Sequence, residues 1–186
     1  MCGIMGYIGR ENALPLIIEG LQKESYRGYD SSGVVVLDKD KVHCIKSVGT
    51  LEKLIKKLKK ESFSGNIGLG HNRWATHGKV TKDNAHPHFD CKRNIFVVHN
   101  GIFENYQSLK ENLQSNGHKF SSQTDTEVLA HLVEHFFQGN LEQALQKALG
   151  LIKGAYATAV IEKYDPGKIV EARLSAPFAI AKNNRG

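Results

Sequence analysis

Cysteine is scarce in this chain, with Cys2, Cys44 and Cys91 the only three in 186 residues. An odd, widely spaced set argues against a disulfide framework and for a reducing, cytoplasmic setting. With no C-x-x-C pair it also offers no cysteine-based zinc motif. Long apolar runs are missing: none approaches the roughly 18 residues that a spanning helix needs. No basic stretch followed by an apolar one opens the chain as a secretory signal would. With only four prolines and no Pro/Ser-rich linker, repeat or low-complexity tract, nothing divides the chain, and its length fits one domain. The patterns G-x-G-x-x-G and G-x-x-x-x-G-K-[ST] are both absent, so a nucleotide-binding fold has no motif behind it.

Acidic residues are outnumbered, leaving a formal charge of +6. That excess permits weak attraction to nucleic acid without implying it. The densest basic run is "KLIKKLKK" at 53–60, where Leu51, Leu54, Ile55 and Leu58 recur at helical spacing. Its lysines therefore read as the wet face of an amphipathic helix rather than a phosphate or membrane surface. Neither nucleic acid nor membrane is an expected partner.

Periodicity predicts a helix through Leu14, Ile17, Ile18 and Leu21, then a hairpin from "VVVL" at 34–37 and "VHCIKSV" at 42–48. Residues 66–88 are rich in glycine, histidine and asparagine and predict a short strand with a long loop, a kind of segment that is commonly functional. "NIFVV" at 94–98 reads as a buried strand. A helix carrying Tyr106, Leu109 and Leu113 is expected to stop at Asn116-Gly117. "TDTE" at 124–127 has the form of a capping box opening a helix through Phe136. Leu141 to Ile152 supply another helix, and 155–162, 168–174 and 178–181 the closing strands. Strands, helices and strands again predict an α+β layered fold rather than a parallel sheet.

The chemistry centres on "MCGI". If Met1 is removed, Cys2 carries a thiol and a free α-amine on one residue. An α-amine has an unperturbed pKa near 8, suited to general-base work at neutral pH, and such a self-activated nucleophile is a known route to amide cleavage. Alone, a cysteine at position two is uninformative. Amide cleavage also needs oxyanion donors, and "HNG" at 99–101 offers the Asn100 side-chain amide and the Gly101 backbone N–H, though it equally fits a plain turn. An amino-acid substrate needs a grip on its carboxylate and ammonium. Arg73 suits the first through its planar fork and Asp125 the second, unless they are a surface charge and a helix cap. His71, His77, His86, His88 and His99 tempt a metal reading, but no H-E-x-x-H or carboxylate-rich partner accompanies them.

"MCGIMGYIG", "YRGYDSSG", "LGHNRWATHG", "NAHPH", "VHNGIFENY" and "GHKFSSQTDTEV" occur in this order. Together they closely resemble the glutaminase half of the glutamine–fructose-6-phosphate aminotransferases (glucosamine-6-phosphate synthases), class II N-terminal nucleophile glutamine amidotransferases. The resemblance runs from Cys2 to about Arg173. It implies a four-layer αββα sandwich of two antiparallel sheets. It also implies glutamine hydrolysis through a cysteinyl thioester, with the ammonia passed to an isomerase half that aminates fructose 6-phosphate. By resemblance, Cys2 is the nucleophile and Asn100 and Gly101 form the oxyanion hole. Arg73, Thr76 and His77 bind the substrate carboxylate and Asp125 its ammonium. Trp74 lies on a closing loop, and Arg27 orders the nucleophile's surroundings; within the loop 73–81, Gly78 reads as the hinge. No metal and no cofactor are implied. On this reading residues 1–186 are a type 2 glutamine amidotransferase domain, the sugar isomerase domains lie outside it, and the family's domain runs several dozen residues further, so a C-terminal truncation is expected. Expected partners are glutamine, the isomerase half and, as one option, a second copy in a homodimer. The alternative is a non-catalytic glutamine-sensing or docking module of the same descent.

Overall fold

The computed structural model describes residues 2–39, 41–76 and 78–182. Two four-stranded antiparallel sheets stack face to face. The first is built from β1 (Gly3–Ile8), β2 (Ser31–Asp38), β3 (Lys41–Val48) and β4 (Ile67–Arg73), in the order β1-β4-β2-β3. The second uses β5 (His88–Phe89), β6 (Ile95–Gly101), β7 (Tyr156–Glu162) and β8 (Val170–Leu174), in sequence order. Helices α1 (Ala13–Lys23) and α2 (Leu51–Leu58) cover the first sheet; α3 (Tyr106–Ser115), α4 (Thr126–Phe136) and α5 (Leu141–Leu149) cover the second.

Strand alternation creates these four layers, because successive side chains point to opposite faces. Along β2, Val35 and Leu37 enter the layer between the sheets while Val34 faces the helices. Along β6, Phe96 and Val98 turn inward while Ile95 and Val97 pack under α4 and α5. The central layer is closed by Ile67 and Leu69 from β4 and by Ala159 and Ile161 from β7. Strands with both faces buried read as continuous apolar runs, which is why "VVVL" and "IFVV" show no polar alternation. On the outer side of β4 the glycines set the spacing. A Cβ at Gly70 would lie 2.4 Å from Ile17 Cγ2, so only glycine lets α1 approach this closely.

The expected helices and the hairpin are all present, and α2 buries Leu51, Leu54 and Leu58 as its spacing requires. α3 ends at Gly117 with φ of +89°, and His118 N–H donates to Leu113 O at 3.0 Å. Two local expectations fail. "TDTE" does not form a capping box: Asp125 is the N-cap residue and makes no side-chain capping bond. Glu127 turns instead to the preceding loop, accepting from Ser121 N–H at 2.7 Å and Ser122 N–H at 2.6 Å. Residues 178–181 form no strand. Ser175 adopts a φ of +57° and makes only an isolated bridge to Tyr156. Pro177 then offers no N–H for a ladder, and Ile180 is left 80% exposed. No helix among the described residues is long and apolar enough to cross a membrane.

Candidate active site

The two sheets open at one end onto a cavity of about 420 Å³. Cys2 enters it just ahead of β1, Arg73 ends β4, and Asn100 and Gly101 end β6. Asp125 sits at the start of α4, Arg27 in the short 3-10 turn after α1, and Trp74 and Thr76 on the loop leaving β4. All eight line the same space, although they span more than a hundred positions of sequence. His77, the ninth residue singled out, lies outside the described residues.

Cys2 is held by the backbone that follows Arg73. Its Sγ accepts from Trp74 N–H at 3.1 Å and approaches Trp74 O at 3.4 Å. Burial pushes its thiol above the ordinary value, and the Trp74 N–H and the Arg73 charge offset this in part. The thiol is thus neutral at pH 7, and a nucleophile made from it needs a base beside it. The Trp74 segment is itself anchored: Asp30 accepts from Ala75 N–H, and Tyr29 meets the indole edge-on at a centroid distance of 5.1 Å.

Asn100 Nδ2 donates to Cys2 O at 3.0 Å. Its orientation is set by His71, whose Nε2 lies 3.0 Å from Asn100 Oδ1 and 3.1 Å from His99 O. Two acceptors facing one ring nitrogen require that nitrogen to carry the proton. Burial lowers the His71 pKa to about 4, so the ring is neutral and remains this single-proton donor at pH 7. The Asn100 NH2 is therefore directed at the Cys2 backbone carbonyl, and it has a second N–H beyond the one given to Cys2 O. Gly101 follows with φ of +136°, and a Cβ there would lie 2.1 Å from Ala155 O, so no other residue fits the strand pair at this point.

His86, His88 and His99 serve threonine hydroxyls. His86 Nε2 and His99 Nδ1 both lie 3.0 Å from Thr126 Oγ1, and His88 Nε2 lies 2.9 Å from Thr124 Oγ1. The His71 and His86 rings stack at 4.0 Å. Around the rim, Asp125 accepts from Phe103 N–H at 2.9 Å. Arg73 reaches Gly78 O and Lys79 O at 3.4 Å each, and Arg27 pairs with Tyr26 and Glu24 rather than with Cys2. The loop is moored to the α4 side where Gln123 N–H donates to Asn84 Oδ1 at 2.8 Å. Residue-by-residue reading missed His71 and Asp30. Both lie inside quoted motifs, but their partners are set by tertiary pairing.

Residues 71–176 match the family model described as glutamine amidotransferase domain. The chain is similar to the glutamine–fructose-6-phosphate aminotransferase (isomerizing) of Clostridium tetani, at 47% identity over 180 residues, covering 97% of this chain and 30% of the relative. It is similar to that of Pyrococcus horikoshii at 48% over 182 residues, with the same shares covered. The chain thus spans about 30% of the length of these curated relatives. Among solved structures it resembles glutamine phosphoribosylpyrophosphate amidotransferase from B. subtilis, with a TM-score of 0.80 at 27% identity over 93% of this chain and 37% of that one. The matched segment runs from His71, which aims Asn100, through the whole second sheet, and it takes in more than half of the chain: this protein belongs to the glutamine amidotransferase domain family.

Proposed function

We propose that the chain hydrolyses the side-chain amide of glutamine to glutamate and ammonia, with Cys2 as nucleophile. The observation that carries this is the Cys2–Asn100–His71 arrangement, in which a buried neutral imidazole aims an amide N–H at the residue bearing the thiol. After removal of Met1, the Cys2 α-amine takes the thiol proton as Sγ bonds to the amide carbon. The resulting oxyanion accepts from the second Asn100 N–H and from the Gly101 N–H. The C–N bond then breaks as the α-ammonium returns its proton to the leaving ammonia. Water adds to the γ-glutamyl thioester, the C–S bond breaks, and glutamate and the thiol are released. Arg73 and Asp125, at the cavity rim, match the α-carboxylate and α-ammonium of the substrate in charge. Thr76 and His77 assist Arg73, Trp74 shields the site from water, and Arg27 supports the wall near Cys2.

The relatives' name suggests the use of the ammonia: transfer to fructose 6-phosphate by an isomerase half that partners this domain. Ammonia release tests the reading. This chain alone, with Met1 shown by intact mass to be removed, is expected to release ammonia from glutamine slowly, at a rate that fructose 6-phosphate does not change. No hydrolysis by that processed sample would contradict it.

A further inference from the structure

Further along α4 than the cavity-lining Asp125 and Thr126 lies a second cluster, made by Cys91 in the turn between β5 and β6, His118 after α3, and His131 and Glu134 on α4. Their donor atoms all lie within 4.8 Å of one another. Cys91 Sγ is 3.8 Å from His118 Nδ1 and 3.6 Å from His131 Nδ1. Glu134 Oε2 is 3.0 Å and 3.2 Å from the same two nitrogens.

In a hydrogen-bonded network both rings would have to share one Nδ1–H between the sulfur and the carboxylate, and Glu134 Oε2 would also accept from Cys91 N–H at 3.2 Å. Four donors converging on one point account for the same four distances. Zinc–sulfur and zinc–nitrogen or –oxygen bonds of about 2.3 and 2.0–2.1 Å in a tetrahedron place sulfur about 3.5 Å from nitrogen and nitrogen about 3.3 Å from oxygen. The observed edges lie within a few tenths of an ångström of those values.

We infer that Cys91, His118, His131 and Glu134 bind one divalent transition-metal ion of the zinc type in a closed tetrahedral site. A thiolate and a carboxylate neutralise the two positive charges, and the mixed sulfur–imidazole set selects zinc over magnesium or calcium. Metal on Nδ1 of His131 leaves Nε2 as a buried N–H that makes no hydrogen bond, with Glu127 Oε1 standing 3.7 Å away as the nearest carboxylate charge. Lys119 N–H points at Cys91 Sγ from 3.4 Å. Cys91 is exposed and His131 buried, so an ion reaches the site from solvent and ends against the helix. Four protein ligands leave no open coordination position, which makes the site structural. It fastens the β5–β6 turn and the segment after α3 to α4, whose Thr126 holds His86 and His99. The sequence shows no regular ligand spacing because the ligands come from three separate elements.

Cobalt(II) added to the chelator-treated chain is the test. The expected result is one Co2+ per chain, with strong visible bands of four-coordinate cobalt and a near-ultraviolet thiolate-to-cobalt band, both displaced by Zn2+. Cys91→Ser, at an exposed position, should abolish the near-ultraviolet band. Glu134→Gln should keep it and weaken binding at least tenfold. Zinc at 100 times its Kd should raise Tm by about 5–10 °C. No cobalt spectrum at millimolar metal, or a thiolate band that survives in Cys91→Ser, would overturn the assignment.

Discussion

The side-chain amide of Asn100 donates to the backbone carbonyl of Cys2 across 3.0 Å, tying the end of β6 to the residue before β1 over 98 positions of sequence. Asn100 is thereby registered against Cys2, the proposed nucleophile. Asn100→Ala is expected to lower kcat by about 10²–10³, as loss of one oxyanion donor does elsewhere, and to leave KM within a few fold. Steady-state ammonia release separates the two, and a change confined to KM would make Asn100 a turn residue only.

His71 should act through Asn100. Replacing it with leucine removes the proton that fixes the amide and strands the buried His99 carbonyl. The expected result is a drop in kcat of about tenfold or more, with a stability loss of about 1–3 kcal/mol. In the double variant with Asn100→Ala, the His71→Leu effect on kcat should largely vanish, since contacting residues are not additive. Full additivity would show that His71 acts on stability alone.

Gly101→Ala must place a methyl group where Ala155 O already stands, at a φ that L-residues avoid. The β6–β7 pairing would have to shift, at a cost of at least about 1–3 kcal/mol. Denaturant titration measures it, and an unchanged midpoint would contradict the close approach of these strands.

The buried imidazoles make stability depend on pH. Burial lowers His71 to about 4 and His99 to about 3, the second also opposed by the charge His71 would carry. An unfolded histidine titrates near 6.5. Between those values the unfolded chain binds more protons than the native one, so stability is full above pH 6.5 and is lost as pH falls toward 4 and below. The denaturation midpoint should begin to drop below about pH 6.5, before carboxylates titrate. A plateau held down to pH 4.5 would refute the neutral histidine layer.

The residues that meet in the cavity were legible because the proposed chemistry demands each by type: a thiol at position two, an amide, a glycine, a guanidinium, a carboxylate. The layers were foreshadowed by apolar runs and helical stripes, and the four-layer arrangement by the resemblance of the motifs. What escaped are roles fixed by contacts distant in sequence. His71 looks like one of several histidines until β4 is laid over β6. "TDTE" satisfies a local capping pattern, yet the Ser121 and Ser122 N–H groups compete for Glu127 and win. Residues 178–181 have strand-like composition but follow Pro177 and find no partner strand among the described residues.

In the proposed reaction the Cys2 sulfur forms a bond to the glutamyl carbon. Mixing the Met1-processed chain with glutamine, quenching in acid within the first turnovers and mapping the peptides by mass spectrometry tests it directly. A γ-glutamyl thioester is expected on the N-terminal peptide at Cys2, absent from Cys2→Ala, which should still bind glutamine by titration calorimetry. Glutamine turnover in Cys2→Ala, or a glutamyl adduct on Cys44 or Cys91 instead, would contradict it.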